Sequence, residues 1–199
     1  MFVVAKTTLA HRPHDNPKTE LSGSAPKILD LINDTQYTVI TAVIDKLEMQ
    51  NQLHWRNQHP YHYLMEIIVE KYVQWLERQN ACGDLMPEKR HGKKDTALQT
   101  AYEGILANGT HFIKDTDRIA ASLPGTKLKF RAKHENIPGL QLCDLIAHPS
   151  YMYVRRQQGH DISYGPFAQK IIPILVAQKY DRSPWNNSKI NGYGIKYLA

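Results

Sequence analysis

The chain has 199 residues, of which 42% are hydrophobic, and a formal net charge of +6 at pH 7 with a pI of about 9.2. This length fits a single domain with enough chain to bury a full core. The sequence has no apolar run long enough to cross a membrane and no leader pattern for export. The basic balance favours a polyanionic partner such as nucleic acid, although it says nothing about the fold.

The two cysteines, Cys82 and Cys143, have neither metal-binding nor redox spacing. Isolated cysteines of this kind are typical of proteins that stay in a reducing compartment. We therefore expect the protein to be cytoplasmic and to have no membrane partner. The sequence does not indicate an oligomeric state.

The predicted elements at the start of the chain alternate between strands and helices. A short apolar strand is expected at 1–5 and a helix at 24–33, for which Ser24 is a suitable N-cap. The segment 37–44 contains the run TVITAVI, which is continuously apolar and β-branched. This pattern predicts a strand that is buried on both faces.

The longest predicted helix covers 60–79, where aromatic and aliphatic residues recur at helical spacing and are expected to form core. The other predicted elements are strands at 84–88 and 128–133 and helices at 96–108, 139–149 and 166–179. Pro87 makes the first of these strands an edge or a strand end. Strands that alternate with helices predict one α/β sheet.

The segment GLQLCDLIAHP, residues 139–149, places Asp144 inside an apolar helical run that Pro149 is expected to end or kink. An unpaired buried carboxylate is costly, so a buried Asp144 would need a partner or a metal ion. The alternative is a solvated stripe, because Gln141, Asp144 and His148 fall on one helix face. The spacing alone leaves both interpretations open.

Three further carboxylates follow predicted strands or open a helix. Asp45 follows the apolar strand, at the edge where α/β sheets place their sites, although it could instead be a turn residue paired with Lys46. Glu88 ends the next predicted strand. Asp95 opens a predicted helix, where its ordinary role would be an N-cap.

Basic residues cluster in two segments that could contact phosphates. The first is the loop PEKRHGKKD at 87–95, and the second is a predicted strand face at 127–134. A solvated charged loop is the alternative for the first segment. The candidate nucleic-acid-binding residues are Lys46, Lys89, Arg90, Lys93, Lys94, Arg131 and Lys133.

From about Thr38 to the C-terminus, the chain resembles the family called domain of unknown function 3800, whose members have a ribonuclease H-like fold. The resemblance rests on the order and spacing of several short motifs. They are VIDK from Val43, the aromatic helix from Tyr61, EKRHGKKD from Glu88, NGTHF from Asn108, NIPGLQLCDLIAHP from Asn136 and GYGIKYL from Gly192.

The resemblance implies an α/β fold with a ribonuclease H-like mixed sheet flanked by helices, as one domain over 1–199 and most strongly over 38–199. It identifies Asp45, Glu88 and Asp144 as catalytic residues and metal ligands, with Asp95 as a further ligand. Oxygen ligands of this kind suit Mg²⁺ or Mn²⁺. The implied activity is metal-dependent hydrolysis of phosphodiester bonds in DNA or RNA.

One motif of the family is missing from this sequence. The family opens with a strand that carries Asp-Glu-Ser-Gly, whose Asp would be a central ligand, and no such motif occurs here. Either the chain is a shortened version or it has lost this ligand. We therefore expect it to bind nucleic acid weakly and to cleave poorly or not at all. The alternative is a non-catalytic nucleic-acid-binding or interaction protein on the same fold.

Overall fold

The computed structural model describes residues 2–7, 25–45, 49, 60–90 and 92–198. The strands within these ranges are β1 (Phe2–Thr7), β2 (Tyr37–Ile44) and β3 (Ile195–Leu198). The α-helices are α1 (Ala25–Asp34), α2 (Pro60–Arg78), α3 (Gly92–Asn108), α4 (Thr116–Ser122), α5 (Pro138–Gln157) and α6 (Pro166–Ile174). A 3₁₀ turn (Lys133–Glu135) precedes α5, and a π-helical turn (Leu175–Lys179) follows α6. The predicted mixed α/β class is confirmed.

The described sheet has the strand order β1–β2–β3. β1 runs antiparallel to β2, with Phe2 opposite Ala42, and β3 runs parallel to it, with Ile195 opposite Thr41. The 37–44 strand is therefore central among the described strands, as its unbroken apolar run predicted.

Alternate side chains of β2 enter two different cores. Ile40 and Ala42, which are 2% and 0% exposed, pack on one face with α2, α3 and α4. Val39 and Val43 pack on the other face with α1, α5 and α6. Because strand side chains alternate between faces, a strand between two helical layers must be apolar at nearly every position.

Helix α2 packs across the sheet, as predicted. Its apolar side chains recur at helical spacing, and Leu64, Ile68 and Leu76 are at most 4% exposed. The helix ends where Asn80 takes a left-handed conformation with φ of 47°, and the N–H of Ala81 donates to the carbonyl of Leu76 over 3.0 Å. A left-handed residue closes a helix by satisfying its last carbonyls in this way.

Pro149 does not end the helix that carries Asp144, since α5 continues to Gln157. Proline removes one helical hydrogen bond, so the helix must be held by other contacts. Pro149 is buried, and the neighbouring Ser150 shares hydrogen bonds with Thr41 of β2 (2.8 Å) and with the Tyr180 hydroxyl (2.5 Å). These contacts with the central strand and with Tyr180 therefore stabilise the helix beyond the proline.

The strands predicted at 84–88 and 128–133 form instead one isolated parallel bridge between Glu88 and Arg131. The Lys129 N–H donates to the Leu85 carbonyl (2.9 Å), and the Lys89 N–H donates to the Arg131 carbonyl (2.7 Å). The pairing is strand-like but short, and it is not part of the three-stranded sheet.

Several element ends also differ from the predictions. Helix α3 begins at Gly92, four residues before the predicted start at 96. It ends at Asn108, as predicted, and Gly109 follows it with a φ of 76°. The predicted helix at 166–179 is an α-helix only to Ile174. Strand β3 was not predicted, because four residues are too few to show a strand period. The proposed cap Ser24 lies outside the described residues.

Candidate functional site

Asp45 lies at the carboxyl end of the central strand, as predicted. Its backbone N–H donates to the Leu198 carbonyl over 2.9 Å, which ties it to the end of β3. Its side chain is only 14% exposed, and Oδ2 lies 3.8 Å from a terminal nitrogen of Arg155 and 4.0 Å from Nε2 of His160. The alternative partner, Lys46, lies outside the described residues.

Arg155 and His160 were not assigned to this site from the sequence. Arg155 lies on α5, and its side chain is 30% exposed and faces Asp45. The guanidinium contacts the Tyr151 hydroxyl and Nδ1 of His160, each over 3.0 Å. The hydrogen bond to Tyr151 raises the pKa of Arg155 above its ordinary value.

The sequence signal for Arg155 is weak. Arg155 follows Tyr151 by one helical turn, so these two side chains lie on one face of α5. No comparable signal marks His160, which lies beyond the helix and reaches the site only through the fold.

Asp144 lies on the solvent side of α5. Its side chain is 64% exposed, and Oδ2 is 3.9 Å from Nζ of Lys133, which is itself 79% exposed. Gln141 and His148 are exposed as well, whereas Ile146 lies on the opposite side of the helix and is fully buried. The solvated stripe is therefore the correct interpretation, and the buried setting is not observed.

Glu88 and Asp95 flank the basic loop at 87–95 and have different contacts. Glu88 is half-buried in the bridge to Arg131. Asp95 lies in the first turn of α3 and is not its N-cap, because the helix begins earlier than predicted. Its Oδ1 accepts the Arg90 N–H over 3.1 Å, while its buried Oδ2 has no hydrogen-bond partner among the described residues.

The predicted metal site requires several carboxylates to meet. Asp45, Glu88, Asp95 and Asp144 are all described, yet no described group of three or more His, Cys, Asp or Glu side chains could hold a metal ion. The predicted site of three or more carboxylates is therefore not observed among the described residues. Asp45 faces Arg155, whereas Asp144 faces Lys133. As placed, this donor set does not fit a Mg²⁺ or Mn²⁺ centre built from three carboxylates.

Most of the predicted phosphate-contacting residues are exposed and share one region. The Glu88–Arg131 bridge joins the two basic segments, and Arg131 and Lys133 are 45% and 79% exposed. We use the name basic surface for Lys89, Arg90, Lys93, Lys94, Arg131 and Lys133, all of which are exposed. Lys46, the seventh predicted residue, lies outside the described ranges. The fold therefore joins two segments that were predicted separately.

Acidic side chains partly balance the second basic segment. Arg131 lies 3.4 Å from Glu135, and Lys133 lies 3.9 Å from Asp144. Exposed ion pairs of this kind contribute little to stability, typically about 0–1 kcal/mol. These ion pairs therefore hold Arg131 and Lys133 only weakly.

Comparisons with protein-family models, with curated proteins and with solved structures found no match for this chain. Among the described residues, no helix is long and apolar enough to span a membrane. The fold defines a mixed α/β protein that has an aspartate at the end of its central strand and an exposed basic surface.

Proposed function

We propose that the protein binds nucleic acid through the phosphate backbone. The observation that carries this proposal is the basic surface, in which the Glu88–Arg131 bridge joins two cationic segments about forty residues apart. Lys and Arg side chains on such a surface contact phosphates without reading the base sequence. The net charge of +6 adds a long-range attraction for polyanions.

The start of α3 strengthens this surface. Lys93 and Lys94 lie in the first turn of a 17-residue helix, where unpaired backbone N–H groups and the helix dipole favour anions. The carboxylate of Asp95 offsets part of this positive charge. It is held by a hydrogen bond from the backbone N–H of Arg90. Phosphates would approach the lysine side of this turn.

A ribonuclease H-like fold is part of the proposal. It is supported by the order of helix α1, the central strand β2, helix α2 and the aspartate-bearing helix α5, together with the resemblance to the domain of unknown function 3800 family. In that arrangement the carboxyl end of β2, where Asp45 lies, would face the nucleic acid.

Binding is tested by fluorescence anisotropy with labelled single-stranded DNA, duplex DNA and RNA over a range of salt concentrations. The triple variant Lys93→Gln, Lys94→Gln and Arg131→Gln should bind more weakly. Its salt dependence should also be shallower, by roughly 0.9 in log–log slope for each duplex phosphate that the variant no longer neutralises. The control variant Lys27→Gln, Lys170→Gln removes exposed charges elsewhere. Equal weakening by the control would mean that net charge, and not this surface, determines binding.

Metal-dependent phosphodiester hydrolysis is the second candidate function. The observation that favours it is Asp45, which is 14% exposed at the carboxyl end of the central strand, where open α/β sheets place their sites. The resemblance suggests the same reaction with Mg²⁺ or Mn²⁺. No described group of three or more ligands could hold a metal ion, which weighs against efficient cleavage, so we expect cleavage to be poor or absent.

A nuclease assay in Mn²⁺ or Mg²⁺ tests this candidate. Any cleavage should disappear in EDTA and in the variants Asp45→Asn and Asp144→Asn, while salt-sensitive binding should persist because phosphate contacts come from Lys and Arg. Cleavage that is equal in all of these samples would rule out the carboxylate assignment.

A further inference from the structure

The carboxyl end of β2 holds a charged cluster that the predicted metal site does not explain. Asp45, Arg155 and His160 come from a strand end, a helix and the segment after that helix, and their side chains are 14%, 30% and 28% exposed. The cluster is therefore largely withdrawn from water. In such a setting the charge on Asp45 must be balanced from within the protein or by a bound cation.

Arg155 supplies part of that balance. A guanidinium remains charged at every accessible pH and cannot act as a metal ligand. Its terminal nitrogen lies 3.8 Å from Oδ2 of Asp45, which is longer than a hydrogen bond, so this contact is held by charge. An ion pair of this kind can be exchanged for another cation without breaking a hydrogen bond between the two side chains.

The guanidinium is fixed in place by other groups. It donates to the Tyr151 hydroxyl over 3.0 Å and lies 5.8 Å from the centre of the same ring. Its Nε is buried and has no hydrogen-bond partner among the described residues. Arg155 thus stays beside Asp45 because Tyr151 and His160 hold it there.

Arg155 also lies against the ring of His160. Its terminal nitrogen is 3.0 Å from Nδ1 and 3.4 Å from Nε2, and Nε2 is itself 4.0 Å from Oδ2 of Asp45. A fixed positive charge this close to the imidazole and to the carboxylate opposes a metal ion at either group.

We propose that Arg155 is a resident counter-cation of Asp45, and that Asp45 and His160 together take a divalent cation only when the charge of Arg155 is removed. The inference does not depend on nucleic-acid binding or on hydrolysis, because cation binding is measured directly. Failure of the nucleic-acid proposal and failure of this one are therefore separate outcomes.

The experiment is a Mn²⁺ titration of the full chain followed by electron paramagnetic resonance. Arg155→Gln should bind Mn²⁺ roughly tenfold or more tightly than the unmodified protein, since it removes a fixed positive charge a few ångströms away. Arg155→Lys, which keeps the charge, should not show this gain. Arg156→Gln is the matched control, because Arg156 lies over the Tyr164 ring at 4.8 Å.

The double variant Asp45→Asn, Arg155→Gln should lose the gain in Mn²⁺ affinity. A gain that survives in this variant, or one shared by Arg156→Gln, overturns the proposal, as does unchanged affinity in Arg155→Gln. If Arg155→Gln is too unstable to titrate, the melting temperatures of Arg155→Gln and of the double variant are compared instead. A counter-cation requires the double variant to melt higher than Arg155→Gln, and an equal or lower value overturns the proposal.

Discussion

Asp45 and Asp144 both follow or interrupt apolar sequence, yet their environments differ. Asp45 is 14% exposed and Asp144 is 64% exposed. A helix exposes one side whatever its composition, so apolar neighbours in the sequence can lie on the side away from a charged residue. A residue at the end of a buried strand has no such freedom, because the layers on either side of the sheet surround it.

Two buried tyrosines, Tyr72 and Tyr102, should make the stability of the protein depend on pH. Burial raises the pKa of Tyr72 and of Tyr102 to about 12, from an ordinary value of 10.0. Since the folded state favours the protonated phenols, their contribution to stability is complete below pH 10 and is lost as the pH rises toward 12. The melting temperature should therefore fall over this pH range.

The variant Tyr72→Phe should show a shallower fall, because it cannot ionise. The variant Tyr164→Phe removes a half-buried phenol outside the two cores and serves as the control. Melting curves recorded by circular dichroism between neutral pH and pH 12 check this. An identical pH dependence in Tyr72→Phe and the unmodified protein would contradict the assignment.

Among the elements, α5 and β2 are joined by polar groups inside the core. The hydroxyls of Thr41, Ser150 and Tyr180 form a chain, and these residues are at most 2% exposed. Ser150 is the middle member and contacts both of the others. Buried hydroxyls must be paired, so this chain fixes the position of α5 against the strand.

Removing the middle hydroxyl should therefore cost more than removing an end. Ser150→Ala leaves two buried hydroxyls without this partner and should lower the free energy of unfolding by about 1–3 kcal/mol, whereas Thr41→Val should cost about 1 kcal/mol. Urea denaturation of both variants measures the difference. Ser188→Ala removes an exposed hydroxyl as a control, and a Ser150→Ala effect no larger than that control would contradict the role of the chain.

For the whole molecule, the decisive feature is that one strand belongs to both cores. Ile40 contributes to the core under α2, and Val43 contributes to the core under α5. Loss of either core removes the packing on one face of β2, which weakens the other core as well. The two cores should therefore unfold together.

We expect a single urea transition that coincides by tryptophan fluorescence and by far-ultraviolet circular dichroism. Ile40→Val should shift both signals equally, with a loss of about 0.5–1.5 kcal/mol. Val43→Ala, on the opposite face of the strand, should likewise shift both signals together. Two separate transitions, or a shift confined to one signal, would show that the cores are independent.

Short stretches of sequence were enough to predict several of the local elements. The run at 37–44 predicted the central strand, and helical spacing at 60–79 predicted the longest helix, because both patterns are complete within a short stretch of chain. The position of Asp45 at the strand end followed from the same local pattern.

Which side chains meet depended on the packing of the whole chain. The Asp45–Arg155 contact joins residues 110 positions apart, and the Glu88–Arg131 bridge joins residues about forty apart. The exposure of Asp144 depended on which face of α5 turned toward the sheet. These outcomes arise because contacts between distant residues depend on how whole layers pack, and no short window of sequence contains both partners.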